Sequence, residues 1–260
     1  MTTVEGYPKD LDAFVIVKEI APGVTTLACP FSRVIVEIGA RATHIKAQFA
    51  DGPGMIMVSP IPVCDVAVAT LEGLPLKYIV APDMVHYMAI PGWKEKYPDA
   101  KIIGCKSLTS QKLTSLGLAC DFEVTDFDCV IPAKELGLND VKEEEELKFI
   151  IVGAHMNREL VTFHGQSKVM VVGDLIFNLP PTEQYSKSKL GLLDRFLYAT
   201  GIGRYAQSKI PDLLIKNKET GKTALKVIEA LDFDTVVMCH GDSVIGTGKE
   251  FYTSFFSSLL

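Results

Sequence analysis

Five polar residues that could bind a metal or transfer a proton come at or just after the ends of apolar runs. His155 follows LKFIIVGA, His164 follows LVTF, Asp174 follows KVMVVG and His240 follows DTVVMC. His86 comes a few residues after the run KYIVAP. Apolar runs of this length are typical of buried strands, and sites in layered α/β folds lie where such strands end. We therefore expect these side chains to gather at one edge of a sheet.

Two or three imidazoles together with the Asp174 carboxylate form a suitable set of ligands for zinc, iron or manganese. Spacing alone leaves a structural alternative open, in which each histidine is hydrogen-bonded within the fold and Asp174 caps a turn or helix. His44 lies in the alternating strand THIKAQFA and is expected to serve packing or the surface. The residue types therefore indicate a metal or acid–base site. The spacing does not decide between such a site and purely structural roles for these residues.

The apolar pattern predicts one α/β (α+β) domain that spans residues 1–260. Strand follows strand from Phe14 to about Ser59, and a strand–helix–strand order comes next, around KYIVAP and KIIG. The segment near 185–231 is predicted to be a helical insertion, and KEEEELK near Lys142 a solvated turn or helix start. This order suits two sheets packed face to face with helices outside.

Composition narrows the classes of function. The chain has 260 residues, with 26 basic and 32 acidic side chains, and no clustered basic face that would bind nucleic acid. No apolar run approaches the length of a membrane span, and the first residues lack the pattern of a signal peptide. The six cysteines are dispersed, as in a protein with reduced thiols. We expect a cytoplasmic protein that acts on a small molecule without nucleic acid or membrane partners, its oligomeric state left open.

Several segments carry a resemblance to a known superfamily. Three segments resemble metal-ligand segments of the metallo-β-lactamase-like hydrolases: VVGDLIF the Gly-Asp at a strand end, GAHMNREL the Gly-His segment and MCHGD the last histidine ligand. FSRVIVEIG, the DGPGMIMVSPIPV hairpin and WKEKYPDAKIIG extend the likeness to a branch of unknown function. The resemblance implies a four-layer αββα sandwich with its site in a cleft along one edge of the two sheets. It also implies that Asp174, His155 and His240 are metal ligands.

The chain departs from the superfamily where the signature H-x-H-x-D-H is expected, just after KYIVA. In our alignment, Pro82 and Met84 replace the first two histidines, His86 the aspartate and Tyr87 the last histidine. Proline offers no ligand and methionine is a soft, weak one for a borderline divalent ion. The resemblance therefore implies at most one divalent metal (zinc, iron or manganese), and no metal is the alternative. The remaining candidate ligands are His86 in this segment and three residues from the later segments: His155, Asp174 and His240.

The first functional hypothesis is a single-metal hydrolase of an ester, lactone or thioester of a small organic substrate. Asp174 would bind and orient the metal, and Tyr87 or His86 would donate a hydrogen bond to the developing oxyanion. His164 is placed behind the ligands, orienting one of them. The apolar helical segment from Tyr185 to Leu214 is expected to cover the cleft with three aromatic side chains: Phe196, Tyr198 and Tyr205.

Two alternatives stay open. One is a metal-free lyase, isomerase or cyclase that uses the same histidines and Tyr87 as acid and base. The other is a non-catalytic binding protein whose ancestral cleft is filled or repurposed. A cleft plugged by Met84 and its neighbours, with no open volume beside Asp174, would favour this last hypothesis.

Overall fold

The computed structural model describes residues 4–33, 36–125, 129–200, 209 and 211–260. Its strands, in chain order, are β1 (Ile16–Ala21), β2 (Val24–Cys29), β3 (Ser32–Arg33), β4 (Val36–Glu37), β5 (Ala40–Phe49), β6 (Gly52–Val58), β7 (Leu76–Val80), β8 (Lys101–Cys105), β9 (Phe122–Val124), β10 (Cys129–Pro132), β11 (Leu147–Val152), β12 (Glu159–His164), β13 (Val169–Val172) and β14 (Thr235–Met238). Its α-helices are α1 (Asp65–Ala69), α2 (Ile90–Lys96), α3 (Lys106–Leu108), α4 (Leu192–Ala199), α5 (Lys218–Glu229) and α6 (Gly248–Phe255).

The strands form two large sheets and one small hairpin. The first sheet has the order β1-β2-β5-β6-β7-β8-β9, antiparallel up to β6 and parallel from β6 to β9. The second has the order β10-β11-β12-β13-β14, antiparallel up to β13, with β14 parallel to β13. The hairpin β3-β4 lies where RVIVEIG was predicted to be one strand.

The second sheet is buried on both faces, and successive residues of its strands point to opposite sides. In β11, Phe149 and Ile151 join the core between the two sheets, whereas Ile150 and Val152 face a second core. Leu225 of α5 and Tyr252 of α6 belong to that second core. Helices α1 and α2 pack on the first sheet. The layers are therefore helix, sheet, sheet and helix, the mixed α/β sandwich that the resemblance implied.

Strand direction decides which residues share an edge of the second sheet. Because β12 is antiparallel to both β11 and β13, the carboxyl ends of β11, β13 and β14 meet the amino end of β12. The edge that carries Asp174 and His240 therefore carries Glu159, the first residue of β12. His164, the last residue of β12, lies about 17 Å away at a rise of about 3.4 Å per residue. The expectation that His164 joins the site was wrong.

His164 belongs to a buried polar cluster at that far edge. Its Nε2 donates to Oε2 of Glu145 at 2.7 Å, and its Nδ1 accepts from the Ser167 hydroxyl at 2.7 Å. Glu145 also accepts from the Gln48 backbone N–H at 2.7 Å. The predicted solvated turn KEEEELK is thus a short 3₁₀ turn over Glu143–Glu145 whose last carboxylate is buried.

The predicted helical segment near 185–231 contains α4, a short helical stretch at 211–214 and α5. Tyr205 lies outside the described residues. In the part of the chain that the structure describes, no helix is long and apolar enough to cross a membrane. Among the cysteines whose side chains the structure describes, Cys29, Cys64, Cys120 and Cys239 form no disulfide.

Candidate functional site

Three loops at the shared edge bring the candidate residues together. The loop after β7 carries Asp83 and His86, the residues after β13 carry Asp174, and β14 leads directly into Cys239 and His240. The loop after β7 is tied to β12 and to the β11–β12 connection by backbone hydrogen bonds, from Leu160 to the Pro82 carbonyl at 2.6 Å and from Met84 to the Asn157 carbonyl at 3.0 Å. This loop of the first sheet is therefore held against the second sheet.

Asp83 orients the His86 ring. Its Oδ1 accepts the backbone N–H groups of Val85 and His86 at 2.7 and 2.9 Å, which closes a tight turn. Its Oδ2 accepts from His86 Nδ1 at 2.8 Å. Because a carboxylate can only accept, the ring proton sits on Nδ1 and the Nε2 lone pair points into the site.

His240 is oriented in the same way by the first sheet. Its Nδ1 donates to the Gly39 carbonyl at 2.6 Å, and its ring stacks with Phe177 at a centroid distance of 5.3 Å. Its Nε2 therefore also presents a lone pair, 3.2 Å from Nε2 of His86. The next residue, Gly241, has a φ of 91°, and a Cβ there would collide with the Asn178 backbone, so this turn requires glycine.

Asp174 completes the cluster. Its Oδ1 lies 3.4 Å from His240 Nε2 and 4.0 Å from His86 Nε2, and its Oδ2 accepts from the Asn157 amide at 2.7 Å. Glu159 fixes the backbone below it, because its two carboxyl oxygens accept the N–H groups of Gly173 and Asp174 at 2.5 and 3.0 Å. Glu159 is fully buried. The side chain and the backbone of Asp174 are thus both held.

The charges at this edge are coupled. Burial alone lowers the pKa of His86, but Asp83, Cys239 and Asp174 raise it well above its ordinary value. Burial raises the pKa of Asp174, yet His86 and His240 hold it well below the usual range. Burial also raises the pKa of Cys239, and His240 and His86 outweigh it, so that the pKa falls to about 6. The edge therefore holds anionic groups around a pair of imidazoles that shares positive charge.

The donor set fits a single divalent cation. His86 Nε2, His240 Nε2 and Asp174 Oδ1 all offer lone pairs, at separations of 3.2, 3.4 and 4.0 Å. Ligands of a tetrahedral ion at about 2.1 Å are about 3.4 Å apart. Both rings also donate their other N–H to an oxygen, as metal-bound histidines do. Three lone pairs this close need an electrophile between them, which a proton or a metal ion can supply.

His155 differs from these two histidines. Its Nδ1 accepts from the Asn157 backbone N–H at 3.3 Å, which places the proton on Nε2. That Nε2 is buried and has no hydrogen-bond partner among the described residues. Burial lowers the pKa of His155, so the ring is neutral. The structure thus places His155 beside the cluster, with an N–H where a ligand would need a lone pair.

The rewritten signature segment provides little chemistry besides Asp83 and His86. Tyr87 and Met84 pack against the large hydrophobic core, and neither lines the pocket beside Asp174. Pro82 lies next to Gly173, where a Cβ would approach it to 3.1 Å. The structure therefore does not place Tyr87 in that pocket, where an oxyanion donor would be needed. Among the described residues, no second set of His, Cys, Asp or Glu ligands forms around His155.

The cluster opens into a pocket of about 340 Å³. Asp174, His86, Cys239 and His240 form its floor. Its walls come from residues of the first half of the chain and from the loops after β11 and β13: Tyr7, Phe31, Arg33, Ile38, Met88, Met156 and Phe177. Phe196, one of the expected covering aromatics, is 60% exposed, and the Tyr198 hydroxyl donates to the Glu37 carbonyl instead. Neither lines this pocket.

Three polar residues of the site were not predicted from the sequence: Asp83, Asn157 and Glu159. Asp83 has a local signature, because an Asp three residues before a His in a loop can cap the turn and hold the ring. Cys239 is adjacent to His240, which was the one indication for it. Glu159 is the acidic residue that opens the apolar run of β12, and its burial follows from packing on the faces of the sheet. Nothing in the sequence marks Asn157.

His44, expected to serve packing or the surface, is buried on the helix side of the first sheet. Its Nδ1 is 2.9 Å from the Thr70 hydroxyl, and its ring meets Trp93 edge-on. Burial lowers the pKa of His44 to about 3. The packing role is therefore the one that the structure supports.

No protein-family model matches the sequence, and no curated protein matches it either. Solved structures do match the fold. The metal-soaked Flv1 flavodiiron core from Synechocystis sp. PCC6803 aligns with a TM-score of 0.64 at 16% identity. The alignment covers 94% of this chain and 61% of that core, so this chain spans less than two thirds of its length. The metallo-β-lactamase from Pontibacter korlensis aligns with a TM-score of 0.59 at 10% identity, over 94% of this chain and 98% of that one.

The metallo-β-lactamase from Hirschia baltica gives a similar result, with a TM-score of 0.58 at 12% identity over 93% of this chain and 97% of that one. Identities this low establish a shared fold and leave chemistry open. The alignments nevertheless run over nearly the whole of this chain. The chain therefore has the metallo-β-lactamase fold, as its sequence resemblance implied.

Proposed function

We propose that this protein is a hydrolase of an ester, lactone or thioester of a small organic substrate, with one divalent ion held by His86, His240 and Asp174. One observation carries the proposal. Three lone-pair donors, two of them imidazoles whose other nitrogens are hydrogen-bonded, converge within 4.0 Å at the floor of an open pocket.

The residues of the chain prepare the site for such a reaction. When bound, a divalent cation supplies Lewis acidity, which polarises a carbonyl and acidifies water. Asp83 and the Gly39 carbonyl hold the two imidazole rings so that both Nε2 lone pairs point toward each other. Asn157 holds the Asp174 carboxylate, and Glu159 holds the Asp174 backbone. The largely apolar walls would bind the organic part of the substrate and exclude water. A volume of about 340 Å³ suits a small molecule.

Metal content and activity together test this proposal. Protein purified without added ions is analysed for zinc, iron and manganese, and then assayed on a panel of simple esters, lactones and thioesters before and after chelation. We expect about one ion per chain and loss of activity on chelation. H86A and H240A should lose both the ion and the activity, and C120S, a substitution outside the site, should lose neither. Equal activity of chelated and untreated protein would sink the proposal.

A metal-free acid–base enzyme on the same fold is the second candidate, favoured by the 3.2 Å separation of the His86 and His240 Nε2 atoms. With both Nδ1 protons donated elsewhere, one further proton can be shared between these nitrogens and passed to a substrate. On this candidate, H86A and H240A abolish turnover although purified protein never contains stoichiometric metal.

The hypothesis of a filled relic cleft finds less support. Met84 packs against the large hydrophobic core and does not line the pocket beside Asp174, which is open. A plugged cleft, which would have favoured that hypothesis, is not what these residues form. An open pocket with polar residues suits turnover of a small molecule as well as its binding.

A further inference from the structure

We propose that Cys239 is a thiolate ligand of the same ion, which makes the site a two-histidine, one-cysteine, one-carboxylate site that selects zinc over manganese. This inference rests on the proposed function, because it assumes an ion between His86, His240 and Asp174. It goes beyond that proposal by adding a ligand and by committing to a metal.

Geometry places the sulfur within reach. Cys239 Sγ and one ring nitrogen each of His86 and His240 all lie within 4.8 Å of one another. An imidazole and a thiolate on one tetrahedral zinc are about 3.6 Å apart, so the atoms need to close by no more than about 1 Å. Cys239 also lines the pocket floor beside both rings. The main chain fixes it there, since its N–H donates to the Val172 carbonyl at 3.1 Å.

The serine that faces the sulfur is an independent observation. The Ser59 hydroxyl donates to Cys239 Sγ at 3.3 Å, and Ser59 itself is buried. Its φ of 54° puts a non-glycine residue in the left-handed region. Such residues cluster at functional sites, where the surrounding structure holds them against strain. Here the strained turn after β6 aims a hydroxyl proton at the sulfur, which is how ligating thiolates are supported by neighbouring groups.

Ligand softness decides the metal. Thiolate is a soft ligand that zinc accepts readily, whereas manganese prefers carboxylate, carbonyl and water. With four protein ligands, the substrate oxygen would be a fifth, a coordination number that catalytic zinc sites reach. Cys239 therefore converts a set that several ions could occupy into one that favours zinc.

Cobalt(II) spectroscopy tests this inference without relying on activity. Metal-free protein is titrated with cobalt(II) chloride, and the near-ultraviolet absorption is followed, where a cobalt–thiolate bond gives an intense charge-transfer band. We expect wild type to develop the band until one equivalent is bound. C239S should bind cobalt without the band and bind zinc at least about 10-fold more weakly. C120S should match wild type, because Cys120 lies against Gly104 of β8 rather than in the site.

The outcomes separate the two proposals. Stoichiometric cobalt without the band in wild type, or an unchanged band in C239S, overturns Cys239 as a ligand and leaves the metal site standing. Failure of wild type to bind either cobalt or zinc overturns both. Competition between zinc and manganese gives a second readout, in which wild type should prefer zinc and C239S should lose most of that preference. The wild-type spectrum decides the matter even if C239S does not fold.

Discussion

Glu159 offers the sharpest test of how the second sheet builds the site. Its two carboxyl oxygens accept the backbone N–H groups of Gly173 and Asp174 from a fully buried position. A carboxyl keeps two acceptor oxygens in either protonation state, whereas the amide nitrogen of glutamine has no lone pair to offer. Glu159→Gln therefore leaves one buried N–H unpaired.

The expected loss of unfolding free energy is about 1–3 kcal/mol, the cost of one buried donor without a partner. The same change loosens the backbone of Asp174, so zinc affinity should fall by about 10–100-fold, as when a group behind a ligand is altered. Stability is measured by urea unfolding of the metal-free protein through the fluorescence of Trp93, the single and fully buried tryptophan. Metal-free protein is used because bound zinc would itself stabilise the fold.

Glu145→Gln is the matched control. Glu145 is equally a buried carboxylate that accepts two N–H groups, but it lies at the opposite edge of the sheet, against Gln48 and His164. E145Q should lose stability by no more than E159Q, because His164 can change its tautomer, and it should keep wild-type zinc affinity. Glu159 does not hold the backbone of Asp174 if E159Q matches wild type in both stability and zinc affinity. The same conclusion follows if E145Q loses zinc affinity to the same extent as E159Q.

Three further predictions concern histidines and their partners. Burial lowers the pKa of His44 to about 3. Between that pKa and the ordinary value of about 6.5, the unfolded chain binds a proton at His44 and the folded chain does not. The stability cost is absent above pH 6.5 and grows as the pH falls toward 3. It reaches about 2 kcal/mol at pH 5, and H44Q should remove that part of the acid dependence in urea unfolding at pH 7.5 and 5. Asp83→Asn keeps the turn but lets an amide N–H face His86 Nδ1, which moves the ring proton to Nε2. Zinc affinity measured by competition with a chromophoric chelator should fall by about 10–100-fold, and an unchanged affinity would exclude this orienting role. His155→Gln should leave about one zinc per chain in elemental analysis, because His155 Nε2 carries a proton; loss of the ion would instead make His155 a ligand.

Much of the fold could be read from local pattern. Continuous Val and Ile runs predicted β11, β13 and β14, because a strand buried on both faces has no polar alternation to keep. The same rule placed Asp174 and His240 just beyond strand ends, where the structure has them. The strand predicted over RVIVEIG is less regular, with two-residue strands at its described ends. An apolar run there did not specify pairing partners.

The direction of a strand is not encoded in its apolar run, and this is why His164 was misplaced. Residues 165–168 are a short connection, and short connections join antiparallel strands, so the spacing contained the answer. Because β12 runs antiparallel to β11, His164 lies at the far edge of the sheet and Glu159 lies at the site. Likewise, a buried carboxylate in KEEEELK could not be expected from a charge run, since only tertiary packing supplies Gln48 and His164 as its donors.

The sequence by itself determined the residue types and the strand ends, and it has Pro82 and Met84 where the resemblance implies two histidine ligands. Neither residue type becomes a good ligand for a divalent ion in any conformation, which is why the sequence predicted at most one ion. Tertiary structure alone decided which ring nitrogens face one another. The tautomers of His86 and His240 depend on Asp83 and on the Gly39 carbonyl, and Gly39 lies 201 residues before its histidine. Hydrogen-bond partners so distant along the chain meet only when both sheets are in place, and they determine where the lone pairs point.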